Sequence, residues 1–209
     1  MPKNARGISE TVIRRMPVYH RYLKELIDSG IERVSSKELS NITGFSASQI
    51  RQDLNNFGGF GQQGYGYNTK ALKEQVDKIL GIDKTYNSIV IGAGRLGQAI
   101  ARYKGFRDSG FNVISFFDIK EDIEDISGIK VRNMKYLEKY IRDEKVEVAI
   151  ITVPKESCED VAKRVIDAGV KGIWNFAPYD LKAPSGVVVE NIRLNDSLLT
   201  LSYFMKEIS

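Results

Sequence analysis

Gly92, Gly94 and Gly97 carry the strongest chemical signal in the chain. They stand in the run Gly92-Ala93-Gly94-Arg95-Leu96-Gly97, a G-x-G-x-x-G, directly after the β-branched stretch Ser88-Ile89-Val90-Ile91. Each glycine has a separate physical task. The first permits a tight turn out of a strand. The second has no Cβ, so a pyrophosphate can approach the backbone. The third lets the following helix pack close to the sheet. The N-terminus of that helix presents free N–H groups and the positive end of its dipole. A second apolar run, Val113 to Phe117, ends in Asp118 beside Ile119. That acid lies about twenty residues past the last glycine, the spacing at which a carboxylate reaches the ribose of a bound adenosine. It accepts from both ribose hydroxyls and repels a 2′-phosphate, so NAD(H) is expected rather than NADP(H).

These residues work only if strands and helices hold them. Ser88 to Ile91 suits a buried parallel strand. Leu96, Ala99, Ile100 and Tyr103 follow at helical spacing. Further on, Val131 is expected to open a short strand and Met134 to Arg142 to form an amphipathic helix. Val146 to Val153, Ile173 to Phe176 and Val187 to Val189 read as strands, with a helix ending at Gly169 between the first two. Alternating strands and helices argue for an α/β doubly wound parallel sheet, a Rossmann domain. Ligands of such sheets lie beyond the carboxyl ends of the strands. That places Thr152-Val153-Pro154 and Asn175-Phe176-Ala177-Pro178 on the same rim as the glycines, positioned to meet the nicotinamide half.

The first part of the chain has a different character. Val12, Met16, Tyr19, Leu23, Leu26 and Ile27 make one apolar helical face, which Pro17 is expected to split or kink unless it sits in a first turn. Ser35 with Glu38 and Ser46 with Gln49 read as capping boxes of two successive helices, with Gly44 at the turn between them. In the second helix Ala47, Ile50, Leu54 and Phe57 face inward, leaving Ser48, Gln49, Arg51, Gln52 and Asn55 outside. This is the layout of a helix-turn-helix. Glutamine and asparagine can bond adenine, and arginine can fork onto guanine or a phosphate. Ser46, Ser48, Gln49, Arg51 and Gln52 are the expected DNA-reading residues, with Arg14, Arg15, Arg21 and Lys37 available for phosphates. The alternative is a solvated helix face in an all-α subdomain. The ribbon Gly58 to Tyr67 interleaves glycine with aromatics and amides, and Gln62, Gln63 and Tyr65 would lie on a wing that reaches a groove or phosphates. A flexible linker is the other reading of this ribbon.

The chain has 209 residues, 42% apolar and 28% charged, with a net charge of +4. That suits one large or two small globular domains and permits a nucleic-acid partner without requiring one. The single cysteine, Cys158, and the single histidine, His20, exclude a disulfide framework and Cys- or His-rich metal sites. His20 reads as a packing or surface residue, and Cys158 as a small packing residue, the alternative being a thiol tuned toward thiolate by the dipole of the helix it begins. No run approaches membrane-spanning length and no signal-peptide core is present, so a cytoplasmic protein is expected. The boundary falls between Gly81 and Asn87, giving a DNA-binding winged helix over 1–84 and a NAD(H)-binding domain over 85–209. Asn195 to Ile208 is apolar on more than one face and should be buried, against a second subunit.

Taken together, Ser48-Gln49-Ile50-Arg51-Gln52-Asp53-Leu54, the ribbon from Phe57 to Tyr67, the glycine motif, Thr152-Val153-Pro154 and Asn175-Phe176-Ala177-Pro178 resemble the redox-sensing transcriptional repressor Rex family over nearly the whole chain. The resemblance implies a homodimer with an N-terminal winged helix, a C-terminal Rossmann domain and a terminal helix, about 194–208, exchanged between subunits. It implies repression at a palindromic double-stranded operator, release by NADH, and competition by NAD+ without release. It also implies that Arg21 and Tyr103 contact a residue near the terminal helix. Many members carry Asp there; aligning Asn191-Ile192-Arg193-Leu194 puts Arg193 at that position, and an arginine cannot make the same pair with Arg21. Gln52, Gln62 and Gln63 replace residues often basic in the family, which should lower the salt dependence of DNA binding. The competing function is a NAD-dependent oxidoreductase with an appended helical domain. Against it, the chain contains no Tyr-x-x-x-Lys pair and no identifiable acid–base group for hydride chemistry.

Overall fold

The structure, a computed structural model, describes residues 8–58, 65–120, 123–182 and 184–208. The chain divides into two compact units, Met1–Lys84 and Thr85–Ser209.

In the first unit the order is α1 (Glu10–Asp28), β1 (Arg33–Val34), α2 (Ser36–Thr43), α3 (Ala47–Asn55), β2 (Tyr67–Asn68) and α4 (Thr69–Leu80). Helix α1 runs unbroken through Pro17. The ring is on the exposed side, where the carbonyl it leaves unpaired can be hydrated. The expected split is therefore absent. Ser35 and Glu38 form a complete capping box. Ser46 makes half of one: its hydroxyl accepts from Gln49 N (3.2 Å) and pairs with Ser48 Oγ (3.1 Å). Met16, Tyr19 and Leu23 of α1 pack with Leu39, Ile50, Leu54, Leu72 and Val76 into one core. The strand that follows the glycine ribbon pairs antiparallel with the strand before α2, giving the helix-turn-helix its small sheet.

The second unit is a parallel sheet of order β5-β4-β3-β6-β7-β8. Its strands are β3 (Tyr86–Ile91), β4 (Phe111–Asp118), β5 (Val131–Asn133), β6 (Val148–Ile151), β7 (Gly172–Asn175) and β8 (Val188–Asn191). The order reverses between β3 and β6, the switch point of a doubly wound fold. Ile89 and Ile91 pack on one face with Leu137, Ile141, Val161 and Val165, from α7 (Leu137–Asp143) and α8 (Lys155–Asp167). Val90 packs on the other with Ile100, Phe116 and Ile150. Burial on both faces explains why these strands read as continuous apolar runs. The expected helix through Tyr103 is instead two: α5 (Arg95–Arg102) and α6 (Lys104–Asp108), with Tyr103 extended at the joint. A groove of about 460 Å³ lies open beside Phe106, Phe111, Ile150, Trp174 and Val188. The last helix, α9 (Leu194–Glu207), exposes Leu198, Leu199, Tyr203, Phe204 and Met205; within one chain the expected burial is not found.

Candidate nucleotide and nucleic-acid sites

The glycine run leaves β3 and starts α5, whose cap, Gly94, makes no side-chain capping bond. The first N–H groups of that helix lack a side-chain acceptor from their cap, and a cap of this kind suits an anion. A Cβ on Gly97 would lie 2.2 Å from Gly92 O, and one on Gly92 would lie 2.7 Å from Thr152 Oγ1. Both positions demand glycine for close approach. A Cβ on Gly94 would meet nothing within 4 Å. The space above Gly94 is thus open, as a pyrophosphate cradle requires.

Asp118 turns back onto the cradle. Its Oδ2 accepts from Ala93 N (2.7 Å) and its Oδ1 from Lys120 N (2.9 Å). An ionised carboxylate has about four acceptor positions, so capacity for ribose hydroxyls remains. Thr152 donates its hydroxyl to Ile91 O and Gly92 O (3.0 Å each), locking β6 to the cradle. Leu96, Ile119 and Tyr103 are exposed, while Ala93 and Ala177 are buried. Arg95 and Pro154 are exposed and Val153 is half-buried. Phe176 packs edge-on to Trp174 (4.6 Å between ring centroids), which packs on Phe106, which packs on Tyr103 (5.0 Å each). An aromatic row thus runs from Phe176 to Tyr103. Cys158 is fully buried with Sγ 3.5 Å from Asn175 Oδ1, and burial pushes its thiol pKa up. It is an unreactive packing residue.

In the first unit Ser46, Ser48, Arg51 and Gln52 are exposed along α3, and Gln49 is half-buried. Arg51 Nη1 donates to Ser36 Oγ (2.9 Å), which holds the guanidinium beside the helix pair. Lys37 is exposed, as is Arg14, which pairs with Glu10 (2.9 Å). Tyr65 is exposed and its carbonyl accepts from Arg33 (3.2 Å); Gln62 and Gln63 lie outside the described residues. Arg15 departs from expectation. Its Nε and Nη2 donate to Asp53 Oδ2 (2.6 Å) and Oδ1 (2.7 Å), and the Tyr19 hydroxyl donates to Oδ2 (2.7 Å). The Arg15 side chain is only 15% exposed. Its fork is engaged in tying α1 to α3 instead of standing free for phosphates. Burial and the neighbouring carboxylate push the Tyr19 phenol pKa up, so it stays a donor. Asp53, 2% exposed, is the residue that sequence reasoning missed. The available signal was an acid three residues after Ile50 on the apolar face of α3, with Arg15 and Tyr19 one turn apart on α1.

A helix-turn-helix unit followed by a doubly wound sheet with a dinucleotide-type cradle defines a transcription regulator that couples nucleic-acid recognition to a small ligand. A family model described as "Putative DNA-binding protein N-terminus" matches residues 7–55, and one for a CoA binding domain matches 83–179. CoA carries the same adenosine and pyrophosphate groups as a dinucleotide. The chain is 54% identical over 207 residues to the redox-sensing transcriptional repressor Rex of Clostridioides difficile (strain 630), covering 97% of each chain. It is 52% identical to the protein of that name from Thermoanaerobacter sp. (strain X514), covering 96% of this chain and 90% of the relative. It is also similar to crystal structures of RSP. One, in complex with beta-NAD+ and operator DNA, superposes with TM-score 0.91 at 52% identity, covering 96% of this chain and 93% of that one. Another, in complex with beta-NADH, gives 0.88 at 49%, covering 96% and 95%. The chain belongs to the Rex family of redox-sensing transcriptional repressors. Its named relatives are repressors, not enzymes, and the oxidoreductase reading is set aside.

Proposed function

We propose that this chain binds NADH and NAD+ at the glycine cradle, binds a palindromic DNA operator through α3, and lets go of the operator when it holds NADH. The observation that carries the reading is the cradle: Gly92 and Gly97 are closed against backbone and Thr152, while the space above Gly94 is open. The complexes of RSP with both nucleotides and with operator DNA support it. Gly92 to Gly97 hold the pyrophosphate, and Asp118 with Ile119 the adenosine end. Thr152, Val153, Pro154, Asn175, Phe176, Ala177 and Tyr103 face the nicotinamide side. The ligand supplies no reaction; its redox state is the signal. Residues 1–84 form the DNA-binding domain and 85–209 the nucleotide domain. Ser46, Ser48, Gln49, Arg51 and Gln52 read base edges. Arg14 and Lys37 hold phosphates, and Gln62, Gln63 and Tyr65 belong to the wing.

The protein works as a cytoplasmic homodimer. Among the described residues no helix is long and apolar enough to cross a membrane. The exposed apolar side chains of α9 and the open groove along Trp174 and Val188 are complementary in character, and α9 of one protomer is exchanged with its partner. Two recognition helices then meet successive major grooves of the palindrome. Because linkage acts through differential affinity, the dimer that grips NADH more tightly must be the one that fits the operator worse. Titration of a labelled operator with each nucleotide tests the reading. NADH is expected to weaken binding far more than NAD+; equal effects of the two refute it.

A further inference from the structure

The loop that follows β7 is fastened to the root of α9 by Asn175 and by two side chains, Asn191 and Arg193, to which the proposed function gives no role. Asn175, fully buried at the end of β7, donates from Nδ2 to Tyr179 O (2.6 Å) and Asn191 Oδ1 (2.8 Å). Its Oδ1 accepts from Ala177 N (3.0 Å). Asn191, at the end of β8, brackets Leu181: its Oδ1 accepts from Leu181 N and its Nδ2 donates to Leu181 O, each at 3.2 Å. Arg193 completes the set. It donates from Nη1 to Ala177 O (2.9 Å) and from Nη2 to Asp180. The side chain of Arg193 is 25% exposed and that of Asp180 is 79% exposed.

Two features show that this arginine is not there to build its helix. It stands at the N-cap of α9 and makes no capping bond. A cation at that end also opposes the helix dipole. What it does is grip a carbonyl and a carboxylate of the loop 177–180. That loop cannot shift without dragging the first turn of α9, unless the Arg193 contacts break. The pair is exposed enough for them to break at small cost.

We propose that Arg193 is a positioning residue that couples the loop at residues 177–180 to α9, so that nucleotide-dependent movement of the rim is delivered to the helix joining the protomers. The inference rests on the reading of this rim as the nicotinamide side. The coupling is a latch with two arrangements, fastened and released, which is the physical requirement for transmitting a signal between sites.

The test uses the full-length protein and two variants, Arg193→Gln and Asp180→Asn, the second keeping the contact with Ala177 O. NADH affinity, read from the fluorescence of bound NADH, is expected to stay within about twofold of wild type, as is operator affinity without nucleotide. The factor by which saturating NADH weakens operator binding should fall about tenfold in Arg193→Gln and less in Asp180→Asn, while Arg193→Lys should recover part of the loss. A fold defect alone lowers binding but leaves that factor in place. Hydrogen exchange without nucleotide supplies an independent readout. Residues 177–181 and 194–198 should both exchange faster in Arg193→Gln. Unchanged exchange in either segment overturns the latch, and so does a full NADH effect in Arg193→Gln. If NADH leaves the wild-type operator complex intact, the functional reading fails, and the exchange result alone decides whether the loop and helix are latched.

Discussion

Replacing Arg15 with methionine isolates the contact that orients the recognition helix. The substitution keeps an unbranched apolar stem and removes both donors to Asp53. Asp53 is 2% exposed, so its charge is left in the core of the first unit with one partner, the Tyr19 hydroxyl. Breaking a buried pair from one side costs about 3–5 kcal/mol. The surviving Tyr19 bond places the loss near the lower end, about 3 kcal/mol. With a urea slope of about 1.5 kcal/mol per molar, the midpoint should fall by about 2 M. Far-UV ellipticity of the full chain reports it. Fluorescence of the lone tryptophan, Trp174, reports the second unit and should keep its own midpoint. Arg15→Met with Asp53→Leu and Tyr19→Phe should recover most of the loss, because the apolar trio leaves neither an unpaired charge nor the Tyr19 hydroxyl without its acceptor. Operator binding separates this role from a phosphate contact. A lost phosphate contact lowers the slope of log affinity against log salt by about 0.9, whereas a tilted helix weakens affinity at an unchanged slope. A single variant within about 1 kcal/mol of wild type, the range of a surface pair, refutes the reasoning, and so does a reduced salt slope.

Gly97→Ala should lower the melting temperature of the second unit, at a cost of about 1–3 kcal/mol, since its Cβ would sit 2.2 Å from a backbone oxygen. Gly94→Ala should melt like wild type yet bind NADH at least about tenfold more weakly, a difference of about 1.4 kcal/mol. Cys158 should resist thiol reagents in the native protein and react once urea unfolds it, because it is fully buried and burial raises its pKa. His20 predicts a pH dependence in the first unit. Burial foremost, then Lys73 and Lys24, lower its pKa against the opposing pull of Asp77. The unfolded chain therefore takes up the proton first, and stability present above about pH 6.5 is lost as pH falls below it. Thermal melts between pH 7.5 and 5.5 should show a decline no steeper than about 1.4 kcal/mol per pH unit for this one group, and His20→Gln should remove it.

What could be read in advance was local. The cradle, the capping of α2 and α3, and the spacing from Gly97 to Asp118 each depend on neighbouring residues along the chain. The strands of the sheet announced themselves because both faces are buried. What escaped was contact between distant segments. Asp53 looks like one more polar residue on α3 until α1 is laid against it. Arg193 could be aligned with a family position, but its partners Ala177 and Asp180 come from a different turn of the chain. Pro17 misled because a helix tolerates proline where solvent can satisfy the freed carbonyl. The role of α9 is invisible in one protomer, since its apolar side chains remain exposed there.

The interlock of Gly92, Gly97 and Thr152 has a consequence for how oxidised and reduced ligands are told apart. Closed against backbone and Thr152 at Gly92 and Gly97, the floor of the cradle has little room to tighten around one of them and slacken around the other. In the proposed function both carry the same adenosine and the same pair of phosphates, so the cradle would grip only what the two have in common. On that proposal, telling them apart falls to the opposite end of the molecule, where a single hydride and one unit of charge distinguish the rings.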